Sequence, residues 1–229
     1  MTNLKYSRLT EADYLLGELA SEIRHEYVDG EVFAMAGAGE AHNLIAGNIF
    51  AKLRGLVRGG PCRVYISDMK LRVKTWKAYY YPDVMVTCDP NGNVLIDDIS
   101  NARFPLLNPL PLAGEEASES LHELFDYDSE GNYKERPSLV VEVLSPSTER
   151  TDRREKMLAY RTLPDLREYL LVATDKQHVE LYRRDAQDEW QLTNINPADG
   201  IHLESLGYDL SLNDIYEDVK LDASFIQIN

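Results

Sequence analysis

The sequence predicts a mixed α/β domain in which helices flank a central mixed β-sheet. Apolar positions recur at helical spacing in several segments, and short apolar runs rich in β-branched and aromatic residues lie between them. The order helix, strands, helix and strand again is typical of such a sheet. With 229 residues, 44% of them hydrophobic, we expect residues 1–229 to form a single domain with a sizeable core.

Three segments have the pattern of amphipathic helices. Residues 10–23 carry leucines on one side, and Thr10 is a suitable N-cap. Residues 41–57 have the clearest apolar stripe, which Gly59-Gly60 ends. The third predicted helix covers residues 151–162.

Several segments have the pattern of strands. Residues 25–37 read as a hairpin around Asp29-Gly30, a strong turn signal. Pro82 cannot donate to a ladder, so it marks a sheet edge, a bulge or the beginning of a strand. The other predicted strands are residues 62–73, 78–88, 138–144, 167–174 and 178–184, with a short one near EWQLTNI.

Residues 89–137 interrupt this pattern. They contain five prolines, many acids and little periodicity. A connection of this length without regular structure is unusual in a compact domain. We expect an irregular excursion there, acting as a lid, a partly ordered lobe or a partner surface.

Composition limits the functional classes. The sequence contains neither an apolar run of transmembrane length nor a secretory signal pattern, so no membrane partner is expected. The cysteines, Cys62 and Cys88, lie in apolar contexts outside any C-x-x-C pair, which favours reduced thiols in the cytoplasm over a disulfide or zinc site. The net charge of −15 opposes unassisted nucleic-acid binding but suits a site that collects divalent cations.

Two acids lie in otherwise apolar strands. Glu142 stands within LVVEVL, and Asp83 follows Pro82 in YYYPDVMV. A buried carboxylate is costly unless it is paired, hydrogen-bonded or bound to a metal. Strand alternation would place Val141 and Val143 on one side and Glu142 on the other. The structural alternative is that Glu142 lies near a strand end or forms a salt bridge with Arg136 or Arg153.

A helical face follows Glu142. Asp152, Lys156 and Tyr160 are spaced by four and share one side of the predicted helix. In the structural interpretation, Asp152 and Lys156 form an ion pair beside Tyr160 on a solvated helix. In the chemical interpretation, Lys156 adds a cation beside two strand carboxylates that can hold Mg²⁺. These are the groups that metal-assisted phosphodiester hydrolysis requires.

These motifs resemble the Uma2 family, endonucleases of the PD-(D/E)XK restriction-endonuclease-like superfamily. The resemblance rests on PDV at 82–84, EVLSPST at 142–148, the helical face of Asp152, Lys156 and Tyr160, EYLLV at 168–172, and the opening EYVDGEVFAMAG with His42. It covers roughly residues 7–90 and 136–215. It implies a restriction endonuclease-like core with Mg²⁺, or Mn²⁺ as a substitute, as cofactor.

The resemblance assigns roles to individual residues. Asp83 and Glu142 correspond to the two motif acids and are expected to be catalytic metal ligands, with the Val143 carbonyl as a third ligand. Leu144 stands where the superfamily expects a lysine, so the resemblance moves that role to Lys156. Glu26 matches an acid that joins the metal shell in related nucleases, although a strand-end ion pair with an arginine would also explain it. His42 is interpreted as a polar residue at a helix start in preference to a ligand.

The partner is expected to be nucleic acid, the resemblance implies DNA, and a homodimer is expected by analogy. Arg150, Arg153 and Arg154 are the predicted phosphate-binding residues, unless they form only a solvated face. The first functional reading is a Mg²⁺-dependent endodeoxyribonuclease. The second is a nuclease-like fold without cleavage, acting as a binding or regulatory module.

Overall fold

The computed structural model describes residues 8–89, 133–146, 148–195 and 200–221. These residues form a mixed α+β fold, which confirms the predicted fold class. Most of the predicted excursion at 89–137 lies outside the described residues. Its described end contains a short strand, Tyr133–Lys134, which sequence periodicity did not indicate.

A six-stranded sheet forms the centre of the fold, in the order β11-β10-β9-β8-β6-β3. Strands β8 and β9 are parallel and the other neighbours are antiparallel, so the sheet is mixed as predicted. Its strands are β3 Cys62–Ile66, β6 Val84–Cys88, β8 Pro137–Val143, β9 Glu168–Val172, β10 Val179–Arg184 and β11 Trp190–Ile195.

A five-stranded sheet, in the order β2-β1-β5-β4-β7, lies in addition to the predicted central sheet. Its strands are β1 His25–Val28, β2 Glu31–Ala34, β4 Lys70–Val73, β5 Ala78–Tyr80 and β7 Tyr133–Lys134. A two-stranded sheet of β12 Ile201–Leu203 and β13 Tyr208–Leu210 completes the described strands.

The prediction of single strands over 62–73 and 78–88 is wrong. Each segment breaks in two and contributes one strand to each large sheet. Ser67, at φ 50°, turns the chain between β3 and β4. Pro82, which lacks an N–H, separates β5 from β6 and lies just before β6 begins, one of the positions that the sequence indicated. Asp83 consequently stands at the junction between the two sheets.

The predicted helices and hairpin are confirmed, with small shifts at their ends. Thr10 caps α1 by accepting a hydrogen bond from the Asp13 N–H. Asp29 and Gly30 form the β1–β2 turn with positive φ angles. The helices are α1 Glu11–Ala20, α2 Glu40–Leu56, a composite α3 of Glu149–Thr151, Asp152–Lys156 and Met157–Tyr160, and α4 Leu212–Ile215.

Strand β8 is buried on both faces, and alternation decides which core each residue joins. Val141 and Val143 pack in the core that contains the α2 residues Ile45 and Ile49. Val140 and Leu144 pack in the opposite core, with residues of α3. The predicted alternation is therefore confirmed, and Glu142 points toward α3.

The expectation of two reduced thiols is wrong, because Cys62 and Cys88 form a disulfide. The two residues are direct partners in the antiparallel pairing of β3 with β6, and their Cα atoms lie 4.0 Å apart. Their apolar contexts alone did not reveal that strand register places them opposite each other. The disulfide removes the cysteine argument for a reducing compartment.

Within the described part of the chain, no helix has both the length and the apolar character that a membrane crossing requires.

Candidate active site

Glu142 is buried at the centre of the candidate site. Its Oε1 accepts hydrogen bonds from the Lys156 ammonium at 3.2 Å and the Tyr160 hydroxyl at 2.9 Å. The sequence placed Lys156 and Tyr160 on one helical face, and both reach the same oxygen. The alternative salt bridges of Glu142 are wrong, since Arg136 pairs with Asp165, and Arg153 with Glu149 and Glu180.

Lys156 is the meeting point of three carboxylates. Besides Glu142, its Nζ lies 2.9 Å from Glu26 Oε1 and 3.1 Å from Asp152 Oδ1. Asp152 and Lys156 begin and end a π-helical segment, a wider helical turn that often accompanies functional sites. The counter-ion of Glu26 is thus Lys156. The alternative prediction, an ion pair between Glu26 and an arginine, is wrong.

Asp83 approaches the same site from the junction between the sheets. Val84 pairs with Val141 in the antiparallel β6–β8 ladder, and extending that register by one residue places Asp83 opposite Glu142. Asp83 Oδ2 accepts a hydrogen bond from the Val143 N–H at 2.7 Å. The two predicted motif acids, 59 residues apart in the chain, are thereby held on neighbouring strands.

His42, near the start of α2, also belongs to this site. Its Nε2 lies 3.2 Å from Asp83 Oδ2. Burial lowers the pKa of His42, but the hydrogen bond and charge of Asp83, with Asp152 and the Val143 carbonyl, outweigh it and raise the pKa. His42 is interpreted from the sequence as a helix-start residue, because no motif in the neighbouring residues links it to Asp83.

Burial is the largest single influence on both pKa values of the Glu142–Lys156 pair, but it sets the direction only for Glu142. Desolvation raises the pKa of Glu142 well above its usual range, and Asp152, Asp83 and Glu26 add to that effect while Lys156 opposes it. For Lys156, desolvation is outweighed by Glu142, Glu26 and Asp152, so its pKa rises. Lys156 is therefore a fixed cation within an excess of carboxylates.

These groups line a cavity of about 520 Å³. One wall is acidic, and the segment Phe33–Gly39 forms part of another. A cavity of this size accommodates a small-molecule or nucleotide fragment. Its acidic lining residues are Glu26, Asp83, Glu142, Asp152 and Glu155.

The donor set fits a hard divalent cation. Within the described residues, no group of three histidine, cysteine or acid side chains forms a ready-made metal site. Mg²⁺ does not need one, because it is commonly held by one or two carboxylates with water and substrate phosphate oxygens. Asp83, Glu142 and the Val143 carbonyl supply such oxygens. Asp152 Oδ1 is buried beside them and is ion-paired with Lys156 at 3.1 Å.

The predicted phosphate-binding arginines have different environments. Arg150 and Arg154 are exposed on α3. Arg153 is half-buried and forms ion pairs with Glu149 and Glu180, so it links α3 to β10.

The structure brings together four of the predicted site residues, which are Asp83, Glu142, Lys156 and Glu26. The sequence pattern favours a helix-start role for His42 over a ligand role, and it places Asp152 on the correct helical face without assigning it to the site.

Comparisons with known proteins agree with this architecture. Residues 11–113 and 114–214 match the Uma2 family model, described as "Putative restriction endonuclease". The chain is 30% identical over 211 residues to the uncharacterised protein slr1290 of Synechocystis sp., covering 92% of this chain and 93% of that protein. A second Synechocystis protein, sll1609, is 29% identical over 187 residues, covering 82% of this chain and 87% of that protein.

A solved structure shares the fold. It is a chain from Anabaena variabilis described as a "putative nuclease belonging to DUF820", with a TM-score of 0.57 and 16% identity, covering 86% of this chain and 91% of that chain. At this identity the likeness concerns the fold. The family match spans most of the sequence, so the chain belongs to the Uma2 family of restriction-endonuclease-like proteins.

Proposed function

We propose that this protein is a Mg²⁺-dependent endonuclease that hydrolyses phosphodiester bonds in DNA. The observation that carries the proposal is the meeting of Asp83 and Glu142 across neighbouring strands in one cavity, with the Lys156 ammonium beside them. Membership of a family described as restriction endonucleases supports the reaction class.

Asp83 and Glu142, with the Val143 carbonyl, would hold Mg²⁺, and Mn²⁺ would be able to replace it. The bound ion supplies polarisation of the phosphoryl oxygen and a lower pKa for the attacking water. The hydrogen bond from the Val143 N–H fixes the Asp83 carboxylate, so its orientation is set before substrate arrives. Glu26 would join the ligand set if its oxygen were released from Lys156.

Lys156 would stabilise negative charge that develops on the scissile phosphate. Its raised pKa keeps it protonated, which favours electrostatic stabilisation over the removal of a proton from water. Leu144, at the position where the superfamily expects its lysine, packs in the apolar core. The ammonium that contacts Glu142 therefore comes from helix α3 and not from the strand that carries Glu142.

Arg150 and Arg154 would contact the DNA backbone beside the cavity. Arg153 would do so only by giving up Glu149 or Glu180. A homodimer, in which two sites cut two strands, is part of this proposal, and analytical ultracentrifugation of the full chain tests it.

A plasmid-nicking assay tests the reaction. Wild-type protein should nick supercoiled DNA with Mg²⁺ or Mn²⁺ and lose this activity in EDTA. Asp83→Asn and Glu142→Gln should each lower the rate by at least about 100-fold, because each removes a charged ligand. Asp165→Asn, which changes an exposed acid paired with Arg136, is the matched control and should retain activity. Nicking that survives Asp83→Asn would contradict the assignment of the site.

A second candidate function is a binding or regulatory module without cleavage. The observation that favours it is the position of Lys156, whose ammonium already occupies the point where Glu26, Glu142 and Asp152 converge. In this case Lys156 would serve as a permanent internal counter-ion. Retention of DNA binding without nicking under any divalent cation would support this second function.

A further inference from the structure

Strand β2 presents an aromatic side chain at the mouth of the candidate site. The strand lies at the end of the five-stranded sheet, and all four of its residues are exposed. Phe33 keeps 49% of its surface accessible, and Val32 keeps 41%. Single exposed apolar residues are ordinary on protein surfaces, so exposure alone assigns no role to either residue.

Strand register distinguishes Phe33 from Val32. Phe33 is the direct partner of Glu26 in the β1–β2 ladder, so their side chains emerge on the same face with Cβ atoms about 5 Å apart. Glu26 in turn contacts Lys156. Val32 is opposite Tyr27 instead, and it does not line the cavity. Phe33 is therefore one side chain away from the Lys156–Glu142 pair.

The segment after Phe33 leaves room beside its ring. Residues 33–39, FAMAGAG, line the cavity and are mostly small. A Cβ added to Gly37 or Gly39 would meet no atom within 4 Å, so the space there is open. A planar group can thus approach the Phe33 ring from the cavity.

Electrostatics make this apolar wall significant for nucleic-acid binding. Duplex binding depends on neutralising many phosphates with basic side chains. The cavity instead carries five acidic residues, and its lysine, Lys156, is buried among carboxylates. Stacking of unpaired bases on aromatic rings is the other principal source of affinity, and it requires bases whose faces are free.

We infer that Phe33 is a stacking platform for an unpaired base next to the scissile phosphate, and that the preferred substrate is single-stranded or locally unpaired DNA. This inference rests on the proposed function, since it names the substrate class of the same site. In continuous duplex both faces of each internal base are already stacked, so Phe33 gains nothing from that substrate.

A binding experiment tests the inference separately from hydrolysis. The full chain carrying Asp83→Asn is titrated in Mg²⁺ against fluorescein-labelled oligothymidylate and against a blunt duplex with the same label. Adding Phe33→Ala should weaken single-strand binding by about 5- to 100-fold, the range for loss of one stacked base. Phe33→Trp should restore affinity and show quenched indole emission on binding. Val32→Ala, which changes a similarly exposed neighbour on the same strand, is the control and should leave affinity unchanged.

Several results would overturn the inference: no single-strand binding by the parent, unchanged affinity in Phe33→Ala, or an equal loss for duplex and single strand. Nicking by wild-type protein, assayed in parallel, separates this inference from the proposed function. Phe33-dependent binding without cleavage would leave the inference standing and reject hydrolysis. Cleavage with no effect of Phe33→Ala on binding would support hydrolysis and reject the inference.

Discussion

Lys156 is the residue on which the candidate site depends. Its ammonium lies within 3.2 Å of oxygens from Glu26, Glu142 and Asp152, and all of these contacts are largely shielded from water. Buried like charges are tolerated only when a counter-ion or hydrogen bonds compensate them. The same cation that would act on a phosphate therefore also holds the site together in the folded protein.

Replacing this cation should destabilise the protein. Lys156→Met leaves buried carboxylates without their counter-ion and should lower the free energy of unfolding by about 3–5 kcal/mol, measured by urea denaturation in EDTA. Mg²⁺ should recover part of that loss by supplying another positive charge. Lys52→Met, which removes an exposed lysine paired with Asp214, is the matched control and should change stability much less. Wild-type stability in Lys156→Met would contradict the counter-ion role.

The sequence predicted much of this site because its signals are local. An acid within an apolar strand, and Lys156 and Tyr160 at helical spacing, can be recognised without the fold. The contact of His42 with Asp83 could not be predicted, because it joins α2 to the sheet junction across 41 residues. The role of Phe33 depends on the β1–β2 register, which an isolated strand pattern does not fix.

At the scale of elements, helix α2 and the β1–β2 hairpin were predictable from periodicity and turn chemistry. The division of 62–73 and 78–88 between two sheets was not, because pairing between strands that are distant in the sequence leaves no local pattern. That division places Asp83 just before β6 rather than within a strand. Long-range strand pairing is thus the part of the fold that sequence reasoning lacked.

The disulfide between β3 and β6 gives a prediction for these elements. It ties β3, at the end of the six-stranded sheet, to the strand that begins after Asp83. Closing a loop with a sequence separation of 26 residues should stabilise the fold by about 3 kcal/mol, through a smaller unfolded ensemble. The double variant Cys62→Ser/Cys88→Ser should therefore unfold at lower urea than wild type.

The comparison of wild type with the double cysteine variant requires a redox control. Wild-type protein treated with dithiothreitol should shift toward the unfolding midpoint of the double variant, whereas the variant itself should not respond to the reductant. Identical midpoints for oxidised wild type and the double variant would show that the disulfide contributes nothing to stability.

At the scale of the whole molecule, the net charge of −15 constrains how the proposed DNA substrate would bind. An acidic protein repels a phosphate backbone at long range, so it lacks the electrostatic steering typical of DNA-binding proteins. Beside the cavity, Arg150 and Arg154 are the exposed arginines among the predicted phosphate contacts. Binding should consequently depend on stacking more than on ion pairing.

This charge distribution predicts a shallow salt dependence. With Arg150 and Arg154 as the phosphate contacts, the logarithm of the affinity for single strands should fall with the logarithm of salt concentration at a slope of about −1.4. Fluorescence anisotropy at fixed Mg²⁺ measures it. Arg154→Ala should halve that slope, while Asp165→Asn serves as a surface control. A slope several times steeper would contradict the assignment of Arg150 and Arg154 as the phosphate contacts.

Metal binding tests the central claim most directly. Isothermal titration of Mn²⁺ into wild-type protein, into Asp83→Asn/Glu142→Gln and into the control Asp165→Asn compares one site across matched proteins. If Asp83 and Glu142 form one metal site, wild type and control bind Mn²⁺ with the same stoichiometry and the double variant does not. Absence of binding by wild type, or equal binding by the double variant, would contradict the claim.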